Sequence, residues 1–88
     1  YVESIKHRLD VHTVSDTYSI TSTLKAMEEQ LSGQDFFRSN SCYLVNLAHV
    51  RGVADQECRM TGGDSLRISR PRKKAFITAL ASFAGGIH

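Results

Sequence analysis

The residues with the most obvious potential for chemistry are four histidines, His7, His12, His49 and His88, in a chain of 88 residues. Zinc sites need several ligands at defined spacing. His7 and His12 are five positions apart and would face opposite sides of one strand, and the other two histidines have no partner at a metal-binding spacing. The sequence also lacks a nucleophile elbow, a phosphate-binding loop and a dinucleotide-binding glycine pattern. We therefore expect no metal site, no cofactor, no small-molecule substrate and no catalytic residue.

The clearest chemical feature is a cluster of positive charge in an almost neutral chain. The formal net charge is +2, yet five of the eleven lysines and arginines lie in the segment RISRPRKK, residues 67–74. No acidic residue interrupts this segment. A local basic cluster favours a polyanionic partner such as nucleic acid. The alternative is the start of a solvated helix that carries basic residues and binds nothing.

Length and composition indicate one globular domain over residues 1–88. Hydrophobic residues make up 41% of the chain and charged residues 23%, which is an ordinary balance. No apolar run approaches the roughly 20 residues that span a bilayer, and the N-terminal residues do not resemble a signal peptide. We therefore expect a cytoplasmic protein with no membrane partner. The start on strand-like residues without an initiator methionine predicts that the domain is the C-terminal part of a longer protein.

Residue patterns predict a mainly β fold with two short helices that positions these charges. Residues 9–13 alternate between apolar and polar side chains, as in a half-buried strand. Residues 50–54 are another strand candidate, and residues 61–64, Thr-Gly-Gly-Asp, predict a hairpin turn because glycine tolerates positive φ. Residues 24–31 carry an apolar stripe after threonine and serine caps, and a second helix is expected after Pro71.

The segment FFRSNSCYLVN, residues 36–46, places four polar residues between two apolar shoulders. Arg38 through Ser41 are expected to form a loop that presents polar side chains to a partner. Adjacent residues of an extended segment face opposite sides, so one of Phe36 and Phe37 should lie in the main core and the other beneath this loop. Asn40 has an alternative role as a turn residue that bonds its own backbone.

Taken together, these segments resemble the LytTR-type DNA-binding domain of bacterial response regulators, also called the LytR/AlgR family. YVES at residues 1–4, KHRLDVHT at residues 6–13 and TLKAMEEQL at residues 23–31 are similar to two strands and a helix of that family. FFRSNSCYLVNLAHV at residues 36–50 resembles its most specific motif, and LRISRPRKKAF at residues 66–76 resembles its Ser-Arg segment. Each match is weak alone, but together they follow the order and spacing of the family.

The resemblance implies small consecutive antiparallel β-sheets with short helices, whose first strands would precede Tyr1. In that family, loops at one edge enter successive major grooves of DNA. Transferred to this sequence, the DNA-binding residues fall on three segments and are Lys6, His7, Arg8, Arg38, Asn40, Ser41, Arg70, Arg72 and Lys73. Asn40 and Ser41 replace the usual histidine and basic residue, and Pro71 interrupts the third segment.

The resemblance further implies a function. We expect sequence-specific binding of double-stranded DNA in transcription regulation, as the output domain of a two-component response regulator. The expected targets are direct repeats in promoters, and a homodimer on the DNA is compatible with them. Arginine can read guanine and asparagine can read adenine, whereas serine and lysine more often contact phosphate. The alternative is a protein-interaction or dimerisation module with weak or no DNA binding, which Ser41 and Pro71 would fit. An enzyme is not expected.

Overall fold

The computed structural model describes residues 1–6, 8–13 and 15–85. This part of the chain forms two antiparallel sheets, two α-helices and a short 3-10 helix at Leu47–His49. The strands are β1 (Val2–Ile5), β2 (Arg8–His12), β3 (Thr17–Ile20), β4 (Phe36–Asn40), β5 (Tyr43–Asn46), β6 (Val50–Ala54), β7 (Glu57–Met60) and β8 (Ser65–Arg67). The α-helices are α1 (Leu24–Gln30) and α2 (Arg70–Gly85). The predicted mainly β fold of antiparallel sheets with two helices is confirmed, although α2, with 16 residues, is not short.

The larger sheet has five strands in the order β3-β2-β1-β5-β4, and the smaller one is the meander β6-β7-β8. In the larger sheet, β1 pairs with both β2 and β5. In the smaller sheet, the hairpin turn predicted at residues 61–64 joins β7 to β8, and Gly63 adopts the positive φ of 98° that favours glycine there.

The larger sheet separates two hydrophobic clusters because neighbouring residues of a strand face opposite sides. One cluster lies beneath α1 and consists of Val2, Leu9, Leu24 and Leu44. The other lies between the sheets and α2, and consists of Val45, Leu47, Cys58, Met60, Leu66, Ile68 and Phe76. The adjacent residues Leu44 and Val45, both fully buried, therefore belong to different clusters.

The two phenylalanines of β4 follow the same rule. Phe36 packs against the cluster beneath α1, and Phe37 packs against the other cluster, which confirms that the rings face opposite sides. The prediction that one ring lies beneath the polar loop is wrong. Both residues pair with the far half of β5, opposite Asn46 and Val45, and four residues of strand carry the chain roughly 13 Å away from the turn.

Helix α1 begins after a capping threonine, and both cysteines are free thiols. Thr23 caps α1, because its hydroxyl accepts a hydrogen bond from the N–H of Ala26 at 3.1 Å. Cys42 is exposed and Cys58 is buried, and neither forms a disulfide. Burial raises the pKa of the Cys58 thiol. Within the described ranges, neither α-helix has the length and apolar character needed to cross a membrane.

Candidate nucleic-acid interface

Three polar segments of the chain meet at one edge of the five-stranded sheet. The β1–β2 connection and the β4–β5 turn lie side by side, because the N–H of Ser4 donates to the carbonyl oxygen of Cys42 at 2.7 Å. β1 and β5 are antiparallel neighbours, with Glu3 opposite Tyr43, so the end of β1 adjoins the start of β5. We name as the turn edge residues 5, 6 and 8, residues 40–42 and residues 67–70.

The third segment is fixed at the turn edge by hydrogen bonds from the end of β4. The hydroxyl of Ser39 and the side-chain amide of Asn40 both donate to the carbonyl oxygen of Arg67, at 2.9 and 3.0 Å. The N–H of Ser69 in turn donates to the carbonyl oxygen of Ser39 at 2.8 Å. These bonds link positions 27 and 28 residues apart, and they place the start of α2 beside the β4–β5 turn.

The polar loop predicted at Arg38–Ser41 has the wrong bounds. β4 continues through Asn40, with an irregular register between Arg38 and Asn40, and the turn consists of Ser41 and Cys42. Ser39 is fully buried, so its hydroxyl does not reach a partner outside the chain. The polar side chains of Ser39 and Asn40 form hydrogen bonds within the domain. The strand therefore continues past the apolar residues from which sequence patterns predict it.

Arg38 lies in β4 and contacts other parts of the protein. Its Nη1 is 3.7 Å from Glu28 Oε1 on α1, and its Nη2 donates to the carbonyl oxygen of Ser41 at 3.3 Å. The Nε atom is buried without a hydrogen-bond partner among the described residues, and only 20% of the side chain is exposed. Arg38 therefore links α1 to the β4–β5 turn, and a DNA contact by its guanidinium stays a prediction.

Asn40 adopts the alternative role expected for it, that of a turn residue. Its Oδ1 accepts hydrogen bonds from the N–H groups of Cys42 and Tyr43, at 2.7 and 3.1 Å. Its Nδ2 reaches the carbonyl oxygen of Arg67. One side chain therefore shapes the second segment and joins it to the third. The preference of asparagine for turns predicted its role in the β4–β5 turn. No sequence pattern indicated its hydrogen bond to Arg67.

The first segment supplies two of the expected cations. Lys6 is exposed and has a positive φ of 55°. Arg8 has 58% of its side chain exposed, and its Nε lies 3.2 Å from Asp10 Oδ1. A hydrogen bond from Ser19, assisted by Arg8, lowers the pKa of Asp10 despite its burial. His7, the third residue expected here, lies outside the described residues.

The remaining expected residues lie at the β4–β5 turn and at the start of α2. Ser41 is exposed, and its hydroxyl is 3.8 Å from the sulfur of Cys42. Arg70 and Arg72 are exposed, and Lys73 is partly exposed, in the first turn of α2. The structure thus brings seven of the nine predicted residues to the turn edge or the adjoining helical turn. Arg38 lies in β4 outside the turn edge and contacts both Glu28 of α1 and the carbonyl oxygen of Ser41, and His7 lies outside the described residues.

Glu3, Asp10 and His12 form a cluster of polar side chains on one face of the β1–β2 hairpin. One carboxylate oxygen of Glu3, one of Asp10 and one ring nitrogen of His12, atoms of the kind that bind metal ions, all lie within 4.8 Å of one another. His12 Nε2 is 3.1 Å from Glu3 Oε1, and its Nδ1 is 3.3 Å from the hydroxyl of Thr17. Asp10 accepts from Ser19 at 2.8 Å. Sequence spacing missed this cluster because strand pairing, not proximity along the chain, assembles it.

An apolar hollow lies at the other end of the five-stranded sheet. Its volume is about 540 Å³, and its lining includes Tyr1, Met27, Leu31, Phe36 and Met60. These residues lie just before β1, near and just after the end of α1, at the start of β4 and at the end of β7. The hollow therefore does not belong to the turn edge.

Substitution of Asn40 tests whether this residue organises the turn edge. We expect Asn40→Ala to lower the free energy of unfolding by about 1–3 kcal/mol, because the N–H groups of Cys42 and Tyr43 lose their acceptor and the carbonyl oxygen of Arg67 loses one of its two donors. Asn40→Asp should cost less stability, since it retains the acceptor for the two N–H groups of the turn, although its second carboxylate oxygen cannot donate to the carbonyl oxygen of Arg67 and must turn away from it. Chemical denaturation measures both changes, with Ser41→Ala as the matched control. If Asn40→Ala and Ser41→Ala unfold alike, Asn40 does not organise the edge.

The sequence matches a known family of DNA-binding domains over most of its length. Residues 1–81 match the family model described as the LytTr DNA-binding domain. A search of curated proteins found no match to the chain. The matched region covers all three segments of the turn edge and both sheets, and the family is one of DNA-binding domains rather than enzymes. The chain therefore belongs to the LytTR family of DNA-binding domains.

Proposed function

We propose that this chain binds double-stranded DNA in a sequence-specific manner and regulates transcription as the output domain of a two-component response regulator in the cytoplasm. The observation that carries the proposal is the convergence of three separate polar and basic segments at the turn edge. The regulator context rests on the resemblance of the sequence to the LytTR domains of such proteins.

The charges near the turn edge favour an anionic partner. Ion pairs within the described residues involve Arg8, His12 and Arg38, so the cations at residues 67–74 make none with that part of the chain. The first turn of α2 also contains no acidic residue. Positive side chains at a helix N-terminus also interact unfavourably with the helix dipole. A phosphate bound there would pair with the cations and interact favourably with the dipole.

The three segments are proposed to have different roles on DNA. Arg70 and Arg72 lie where the end of β4 anchors the start of α2, and a guanidinium there is suited to read guanine in the major groove. Lys6, Arg8 and Lys73 are assigned to phosphates, which set the position of the protein on the duplex. Asn40 positions the second and third segments, and Ser41 is the exposed polar side chain of the β4–β5 turn.

Binding to duplex DNA should depend strongly on salt. Each phosphate that the protein neutralises contributes about −0.9 to the slope of log affinity against log salt concentration. We expect a slope of about −3 or steeper from the cations of the turn edge. Fluorescence anisotropy with a labelled random-sequence duplex, across a sodium chloride series, measures this slope. A flat series would contradict the proposal, and no retardation at low salt would favour an interaction module instead.

Sequence specificity needs a second measurement, because the salt slope reports phosphate contacts alone. Selection from a pool of random duplexes should enrich one sequence class, and direct repeats within it would indicate how two copies are arranged. The selected duplex should bind at least about 10³-fold more tightly than a scrambled one. Equal affinities for both duplexes would limit the function to non-specific DNA binding.

A further inference from the structure

The outer face of the three-stranded sheet carries three arginines, of which Arg67 belongs to the turn edge and the other two do not. In β7, Cys58 and Met60 are buried, whereas Arg59 between them is exposed. Arg51 in β6 and Arg67 in β8 are exposed as well. The inner face of this sheet packs into a hydrophobic cluster, so these three arginines belong to the face that points away from the core.

A β-bulge brings two of these arginines together. β6 and β7 pair through Val50 and Met60, and then through Gly52 and Arg59, with an irregular register between Val50 and Gly52. Arg51 is the extra residue, so Arg51 and Gly52 together oppose Arg59. All three residues line one hollow of about 420 Å³. Gly52 leaves the floor of this hollow free of a side chain.

Two arginines line the hollow, and none of its lining residues is acidic. Neither Arg51 nor Arg59 forms an ion pair with any described residue. Like charges opposite each other on neighbouring strands are destabilising. Glu57 is the nearest acidic residue on β7, but it pairs with Ala54 and Arg67 rather than with the bulge. Two guanidinium groups on either side of an open floor suit a phosphate, which accepts several hydrogen bonds at once.

The hollow is close enough to the turn edge to meet the same duplex. Arg59 pairs with Ser65, which is two residues before Arg67 in β8. With a rise of about 3.3 Å per residue and a strand spacing of about 4.8 Å, Arg59 and Arg67 are roughly 8 Å apart along the sheet. Measured along the axis of a duplex, this separation corresponds to about two to three base-pair steps.

We propose that Arg51 and Arg59 bind a backbone phosphate of the DNA beyond the three segments of the turn edge. The inference rests on the proposed DNA binding and extends its contact surface across the outer face of the smaller sheet. Such a contact strengthens binding without reading sequence, because phosphates are the same at every base pair.

Neutral variants test this contact. In the double variant Arg51→Gln with Arg59→Gln, the magnitude of the salt slope should fall by about 0.9, since one phosphate contact is lost. The ratio of affinities for selected and scrambled duplexes should stay within about twofold of the unaltered chain. Lys25→Gln is the control, because Lys25 is an exposed cation on α1, on the other side of the five-stranded sheet. The salt slope of Lys25→Gln should equal that of the unaltered chain.

The outcomes separate this inference from the proposed function. If the unaltered chain binds no DNA at any salt concentration, the proposed function fails. If it binds DNA and the double variant has the same slope, only the phosphate contact is wrong. Shifts of the Gly52 and Arg59 amide signals with inorganic phosphate, together with an unchanged DNA slope, would show a free-anion site and also overturn it. Thermal unfolding confirms that the variants are folded, and both substitutions lie at exposed positions.

Discussion

Replacing Phe76 by alanine is expected to lower the free energy of unfolding by about 3–5 kcal/mol. Phe76 is fully buried in α2, and its ring contacts that of Phe37 edge to face, with centroids 5.7 Å apart. Truncation removes this contact and leaves a cavity between α2 and β4. Domains of this size have only about 5–15 kcal/mol of stability, so the variant should lose a large part of it. Denaturation with urea measures the change.

The neighbouring residue provides a matched control for this experiment. Ile77 is 41% exposed on the same helix, and alanine is the better helix former of the two. Ile77→Ala should therefore change the free energy of unfolding by less than about 1 kcal/mol. Equal losses for Phe76→Ala and Ile77→Ala would mean that α2 does not pack on β4 as described. The basic first turn of α2 would then have no fixed position relative to the turn edge.

The architecture could be predicted where local patterns and tertiary packing agree. Alternation over residues 9–13 and the two glycines of residues 61–64 indicated strands and a hairpin that the structure contains. Pro71 indicated the helix that begins at Arg70. These predictions succeed because the alternation of buried and exposed residues in a strand and the residue preferences of a turn depend on the local sequence.

The candidate interface was less predictable, because long-range hydrogen bonds determine it. Ser39 and Asn40 looked like exposed loop residues, yet both bond the carbonyl oxygen of Arg67. Polar composition alone does not distinguish a solvated loop from a strand whose polar groups are satisfied by a distant segment. The position of Arg51 near Arg59 was also hidden, since the β-bulge in β6 places Arg51 and Gly52 together opposite Arg59.

Arg70→Ala is expected to reduce binding to a selected DNA sequence more than Lys74→Ala does. Arg70 is the first residue of α2, directly after Ser69, whose N–H is anchored to the end of β4. A guanidinium at a fixed backbone position can keep the geometry that base reading needs. Its loss should cost about 1–3 kcal/mol on the selected duplex and relax the preference at one base pair.

Lys74 lies one helical turn further along α2 and is exposed. Its carbonyl oxygen accepts from the hydroxyl of Thr78 at 3.0 Å, a backbone contact that Lys74→Ala retains. This variant should weaken binding to selected and scrambled duplexes equally, and it should reduce the salt slope by at most about 0.9. Anisotropy titrations with both duplexes compare the two variants. If Arg70→Ala also weakens both duplexes equally, Arg70 contacts phosphate, and base reading must come from another residue of the turn edge.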